Sequence, residues 1–243
     1  MGKLVAVWGS PESGKTTFAV KLATAVYDQF QSTVLTVLAD QTAPALSVLF
    51  PNRKKEDLSS VGTVLAKTEI TQEEVIKCIV TDPKRANFGF LGYMDGENIH
   101  TYARAGERKC RDFLNVTKTL ADVVVVDCTS LPDNLSKVAI NMADEIIRLA
   151  SPDLKSMAFF NSQLPIMADT SFRCEEHILG INVVRQDVYI PLEEAKEHFG
   201  KVSFTVPYSQ EIRIQTINGA IIEPVKDAKF NDRLRIVAQK LVE

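Results

Sequence analysis

The chain has 243 residues, 45% hydrophobic and 24% charged, a composition that suits one well-buried α/β domain and excludes a disordered chain. With 28 basic and 31 acidic residues the formal net charge is −3, which excludes a global attraction to nucleic acid or acidic lipid; any such contact needs a local patch. Cys78, Cys110, Cys128 and Cys174 lie far apart without a C-x-x-C pair, which speaks against a zinc or iron–sulfur site and for reduced, buried thiols in a cytoplasmic protein.

In chain order, KLVAVWG (3–9) reads as a strand. Its apolar run is too short for the core of a signal peptide, and no later stretch is long enough to span a membrane. KTTFAVKLATAVYDQF (15–30) reads as a helix with Phe18, Leu22, Ala25 and Val26 on one face. TVLTVLAD (33–40) is a second strand, and APALSVLF (43–50) and VGTVLAKT (61–68) are short helices. PNRKKEDLSS (51–60), between those two helices, is a charged loop. TQEEVIKCIV (71–80) opens on a capping box, Thr71 with Glu74 three residues on. NFGFLGY (87–93) is a strand, 102–119 a long polar helix, and DVVVVD (122–127), DEIIRLA (144–150), HILGINVV (177–184) and KVSFTVP (201–207) are further strands. Short runs apolar on both faces, separated by helices, predict a mostly parallel central sheet with helices on both faces, a three-layer α/β sandwich. No repeat, low-complexity tract or linker interrupts it, so a single domain over 1–243 is expected.

The chemistry gathers at residues 9–16. Gly9-Ser10-Pro11-Glu12-Ser13-Gly14-Lys15-Thr16 fits the phosphate-loop pattern G-x-x-x-x-G-K-[ST] and lies where it must, after the first strand and at the start of a helix. Backbone N–H groups of such a loop, with those of the helix N-terminus through Thr17, surround phosphate oxygens. Lys15 reaches the β- and γ-phosphates, and Thr16 ligates Mg²⁺. Asp127, at the carboxyl end of a buried strand, is the acidic partner for the metal shell, and Asp40 ends the second strand in the same way, either beside the γ-phosphate and metal or as a turn residue. A nucleoside di- or triphosphate with Mg²⁺ is therefore the expected ligand.

The order of these features resembles the MinD/ParA group of P-loop ATPases almost end to end. VLTVLADQTAPALSVLF is similar to that group's second strand and first switch, LADVVVVDCTSLPDN to its acidic strand and second switch, ADEIIRLASPDLKSM to the next strand and helix start, and FTVPYSQEIRIQTINGAII to its late segment. The resemblance, and not the loop, implies ATP or ADP in particular. It also implies a P-loop fold, a homodimer closed face to face around two ATP molecules, and a protein partner in a polar, pilus or partition system, with localisation through that partner. Loss of the group's signature lysine also occurs among the TadZ/CpaE localisation factors of Tad-type pili, which NFGFLGYMDGENIHTYA resembles.

Three departures from the group matter. Ser10 stands where the signature lysine is expected, Leu38 where the first switch has a second acid besides Asp40, and Val184 where an asparagine reads adenine. The resemblance then leaves base recognition to Arg185 and the backbone around Pro207. Glu12 replaces a glycine; pointing inward it opposes phosphate, pointing outward it is harmless. Nucleotide binding is expected to survive these changes and hydrolysis to be weak, because the lost groups act on the transition state. A nucleotide-binding scaffold without turnover, a DNA-partitioning ATPase and a small-molecule P-loop enzyme are the alternatives.

The remaining constellations read as structure. Lys226, Lys229, Arg233, Arg235 and Lys240 are interspersed with acids, so a solvated helix face is favoured over nonspecific DNA binding. Leu234, Val237, Ala238 and Leu241 have core spacing, which favours packing on the sheet over membrane insertion. Arg104, Arg108, Lys109 and Arg111 read as a polar helix face, and His100, His177 and His198 lack metal-ligand spacing.

Overall fold

The protein is described by a computed structural model covering residues 1–131, 133–186 and 190–242. β1 (Lys3–Gly9) lies inside an eight-stranded sheet of order β3-β4-β2-β5-β1-β6-β7-β8. The other strands are β2 (Val34–Leu38), β3 (Val80–Asp82), β4 (Arg85–Gly92), β5 (Val123–Asp127), β6 (Glu145–Ala150), β7 (Ile178–Asn182) and β8 (Phe204–Val206). All neighbours run parallel except β3, which pairs antiparallel with β4 at the edge.

Alternation along β1 divides the core into two layers. Val5 and Val7 face α1 (Lys15–Phe30), α2 (Leu46–Leu49) and α10 (Ala228–Val242), where Phe18, Leu22, Leu46, Phe230 and Leu234 are buried. Leu4, Ala6 and Trp8 face the opposite layer, built from α3 (Val61–Ala66), α4 (Gln72–Lys77), α5 (Glu107–Leu120), α6 (Asn134–Met142) and α7 (Leu154–Gln163). α8 (Leu192–Phe199) and α9 (Gln210–Ile217) complete the chain. The expected three-layer sandwich is present. Leu234, Val237, Ala238 and Leu241 face the sheet as their spacing predicts, and no helix among the described residues is long and apolar enough to cross a membrane.

Several local expectations change. The run read as helix over 71–80 ends at Lys77 and turns into β3, an edge strand too short to show any period of its own. The forward half of the predicted capping box is made, with Thr71 Oγ1 accepting from Glu74 N at 3.3 Å, while the Glu74 carboxylate pairs with Lys67 and Lys77 instead. The polar helix expected from residue 102 begins only at Glu107; Tyr102 is held in the preceding loop by its hydroxyl, which donates to Glu97 Oε1 at 2.7 Å. The helix expected over 43–50 shrinks to the single turn of α2, and β7 stops at Asn182 rather than running to Val184. The parallel register aligns the carboxyl ends of β1, β2 and β5, with Leu38 and Val7 both opposite Asp127, and this edge carries the site.

Candidate nucleotide site

β1 ends at Gly9, whose missing side chain is obligatory: a Cβ there would lie 2.0 Å from Leu149 O on β6. The chain then loops and enters α1 through Gly14, which is left-handed at φ 76°. A Cβ on Gly14 would meet Asn182 Nδ2 at 2.8 Å and Val184 Cγ1 at 2.9 Å, so the loop is pressed against the end of β7. Inside the loop, Ser10 O accepts from Ser13 Oγ at 2.8 Å and from Lys15 Nζ at 3.0 Å. Lys15 also donates to Ser130 Oγ at 2.7 Å. Burial holds the Lys15 pKa below its ordinary value, against the opposing pull of Asp127 and Asp40.

Thr16 and Asp127 meet, with Thr16 Oγ1 donating to Asp127 Oδ2 at 2.6 Å. The second carboxylate oxygen, Asp127 Oδ1, is buried without a hydrogen-bond partner. Burial pushes this carboxyl up to about 7, with Asp40 adding to the rise while Thr16 and Lys15 oppose it. A carboxylate with one free, buried oxygen beside a threonine hydroxyl fits Mg²⁺, which takes few protein ligands and completes its shell with water and phosphate oxygens. No cluster of three or more His, Cys, Asp or Glu able to hold a metal by itself occurs among the described residues. Asp40 sits beyond β2 with Oδ1 accepting from Thr42 N at 2.8 Å and Ala43 N at 3.0 Å, so one of its oxygens shapes the turn while its charge is felt at both Lys15 and Asp127.

Ser10 and Glu12 take opposite orientations. Ser10 is fully buried, and its hydroxyl is 2.7 Å from that of Ser156 on α7. Pro11 and Glu12 are exposed, and Glu12 is left-handed at φ 60°. The Glu12 carboxylate points outward, accepting from Lys155 Nζ at 2.7 Å and Arg185 Nη2 at 3.1 Å. Leu38, only 1% exposed, packs in the core.

Beside the loop opens a cavity of about 410 Å³, within the roughly 300–1,000 Å³ range of small-molecule sites. Thr17, Asn182, Arg185, Pro207, Ile212 and Phe230 are among its lining residues. Arg185 and Pro207 thus join the loop at one cavity. Sequence reasoning missed Asn182, whose side chain is 7% exposed and donates from Nδ2 to Ser13 O at 2.8 Å. Placing the strand end at Val184 hid it; the carboxamide sits two residues earlier. Ser130, Lys155 and Ser156 were also missed, because only tertiary contacts bring them to the loop.

No family model and no curated protein sequence matches the chain. Solved structures do. The ParA family ATPase from Chlorobium tepidum TLS superposes with a TM-score of 0.76 at 12% identity over 98% of both chains. The MinD protein of Pyrococcus horikoshii OT3, complexed with Mg-ADP, gives 0.75 at 19% over 99% of this chain and 96% of that one. A single-residue variant of Cyanothece McdA in complex with ATP gives 0.74 at 14%, again over 99% and 96%. The chain therefore has the α/β fold of the MinD/ParA P-loop ATPases over essentially its full length.

Proposed function

We propose that a chain with this fold and this loop binds a Mg²⁺-complexed adenine nucleotide and works as a positional switch, closing into a homodimer on ATP to recruit a protein partner. The observation that carries the reading is the Thr16–Asp127 pair with its free buried oxygen, set directly behind the loop amides and Lys15. In this arrangement the loop amides from Glu12 to Thr17 surround the phosphates, Pro11 having no N–H and Ser10 N donating to Leu149 O at 3.1 Å, and Lys15 leaves Ser130 and Ser10 O to meet them. Thr16 and Asp127 hold Mg²⁺, which neutralises phosphate charge when bound. Asn182, Arg185 and Pro207 line the cavity that receives the base. The neighbours solved with Mg-ADP and with ATP support the choice of ligand.

Weak turnover, or none, belongs to the same reading. Ser10 carries no charge and is committed to Ser156, and Leu38 is a core residue, so neither position offers a group to a phosphoryl-transfer transition state. The cargo is proposed as a polar, pilus or partition assembly, reached from the cytoplasm through a protein partner. Calorimetry tests the core of the proposal. ATP and ADP with Mg²⁺ should give saturable heat, lost in Lys15→Ala; absence of heat from folded wild-type protein overturns it. Phosphate release well above the Lys15→Ala control would reject the non-hydrolysing form.

A further inference from the structure

The phosphate loop carries a negative side chain, yet it is not negatively charged as a unit. Glu12 lies in the middle of the loop, in a left-handed conformation that disfavours a non-glycine residue. Its two carboxylate oxygens are divided between two cations brought by different parts of the fold: Lys155 in the first turn of α7 and Arg185 after β7. The docking of α7 continues one residue on, where Ser156 meets Ser10 in the same loop. Glu12 and Arg185 also line the cavity beside the loop. All three charged side chains are more than half exposed, so the cluster is held by charge and not by packing.

We propose that Glu12, Lys155 and Arg185 form a charge switch that sets whether this loop accepts a polyphosphate. The inference rests on the nucleotide reading above. With both cations in place the cluster carries a net charge of +1 at the cavity mouth. Remove the cations and an unpaired carboxylate is left on the outer side of the loop, where its charge acts through space against the phosphates of a nucleotide seated there. Glu12 is then the specificity-determining residue, and Lys155 and Arg185 are positioning residues that set its sign. Repulsion grows with ligand charge, so ATP is rejected more strongly than ADP. Acylation of Lys155, or its capture by an acidic segment of a partner, would weaken nucleotide binding without contact with Lys15 or Thr16.

Titrations with a fluorescent ribose-labelled ATP and ADP test this in wild type, K155M/R185M, E12Q/K155M/R185M and E12Q, at low and high salt. The double variant should lose about tenfold in ATP affinity at low ionic strength, less for ADP, with the gap narrowing in high salt. Adding E12Q should restore most of the loss, and E12Q alone should bind at least as tightly as wild type. Thermal unfolding confirms that these surface variants stay folded. A triple variant no better than the double shows that the cations act on the ligand directly and overturns the switch. Equal affinity for all four proteins overturns it as well. If wild type binds neither nucleotide, the nucleotide reading fails and takes the switch with it; binding by wild type without rescue by E12Q sinks the switch alone.

Discussion

Ser10 sits fully buried just past the end of β1. As a residue type it offers no cation, and that much follows from its identity. Its hydroxyl is buried against Ser156, so the position has no room or exit for a longer side chain. Ser10→Lys should therefore not act as a restored lysine. An ammonium in place of the Ser10 hydroxyl would be buried at a fully enclosed position, which should cost about 3 kcal/mol or more. Urea unfolding should show that loss, and phosphate release should not rise above wild type; a stable, faster variant would refute the account. Glu12 is the opposite case. Its charge left two readings open, opposed to phosphate if inward and harmless if outward, and its outward direction with two cationic partners favours the second.

Among the elements, the connection between β1 and β7 carries the clearest pH dependence. Trp8, the only tryptophan, donates from Nε1 to His177 Nδ1 at 3.2 Å, and His177 Nε2 donates to Phe172 O at 2.7 Å. Both ring nitrogens are thus used by the neutral tautomer, which joins β1, the start of β7 and the turn at 170–172. Burial pushes the pKa of His177 down to about 4, with Arg148 and Arg173 helping. The folded state resists a proton that the unfolded chain accepts near its ordinary value of about 6.5. Stability from this link is present above pH 6.5 and lost as pH falls toward 4, by up to roughly 3 kcal/mol. Denaturation at pH 7.5 and 5.0, followed by Trp8 fluorescence, should show the fall, and His177→Gln should flatten it. An unchanged slope in that variant would assign the pH dependence elsewhere. The histidine lacked metal-ligand spacing in the sequence; its structural role appears only once Trp8 is brought against it.

For the whole molecule, the exposed carboxyl edge of the sheet makes the main prediction. Leu131 and Leu154 are 66% and 74% exposed, and they follow β5 and β6 at the edge where the loop, Asp127 and Lys155 lie. A dimer closed over this edge would bury both side chains. Sedimentation should find dimer with ATP and Mg²⁺ and monomer for Lys15→Ala under the same conditions. A monomer at every nucleotide condition would leave the loop as a binding site without the switch.

The sequence by itself determined the layered α/β architecture, the glycine-lysine loop after β1 and the two residues, Thr16 and Asp127, that meet behind it. Those features depend on local period and on residue type at strand ends, and both are written along the chain. Only the tertiary structure decided β3, the late start of α5, the place of Asn182, and the company kept by Ser10, Glu12 and His177. The last four side chains depend on partners far away in the chain, β3 is a strand too short to have a period, and α5 starts late because Tyr102 is tied into the loop before it. Pairing energies of that kind arise when the sheet closes and its loops dock, and no local pattern encodes them.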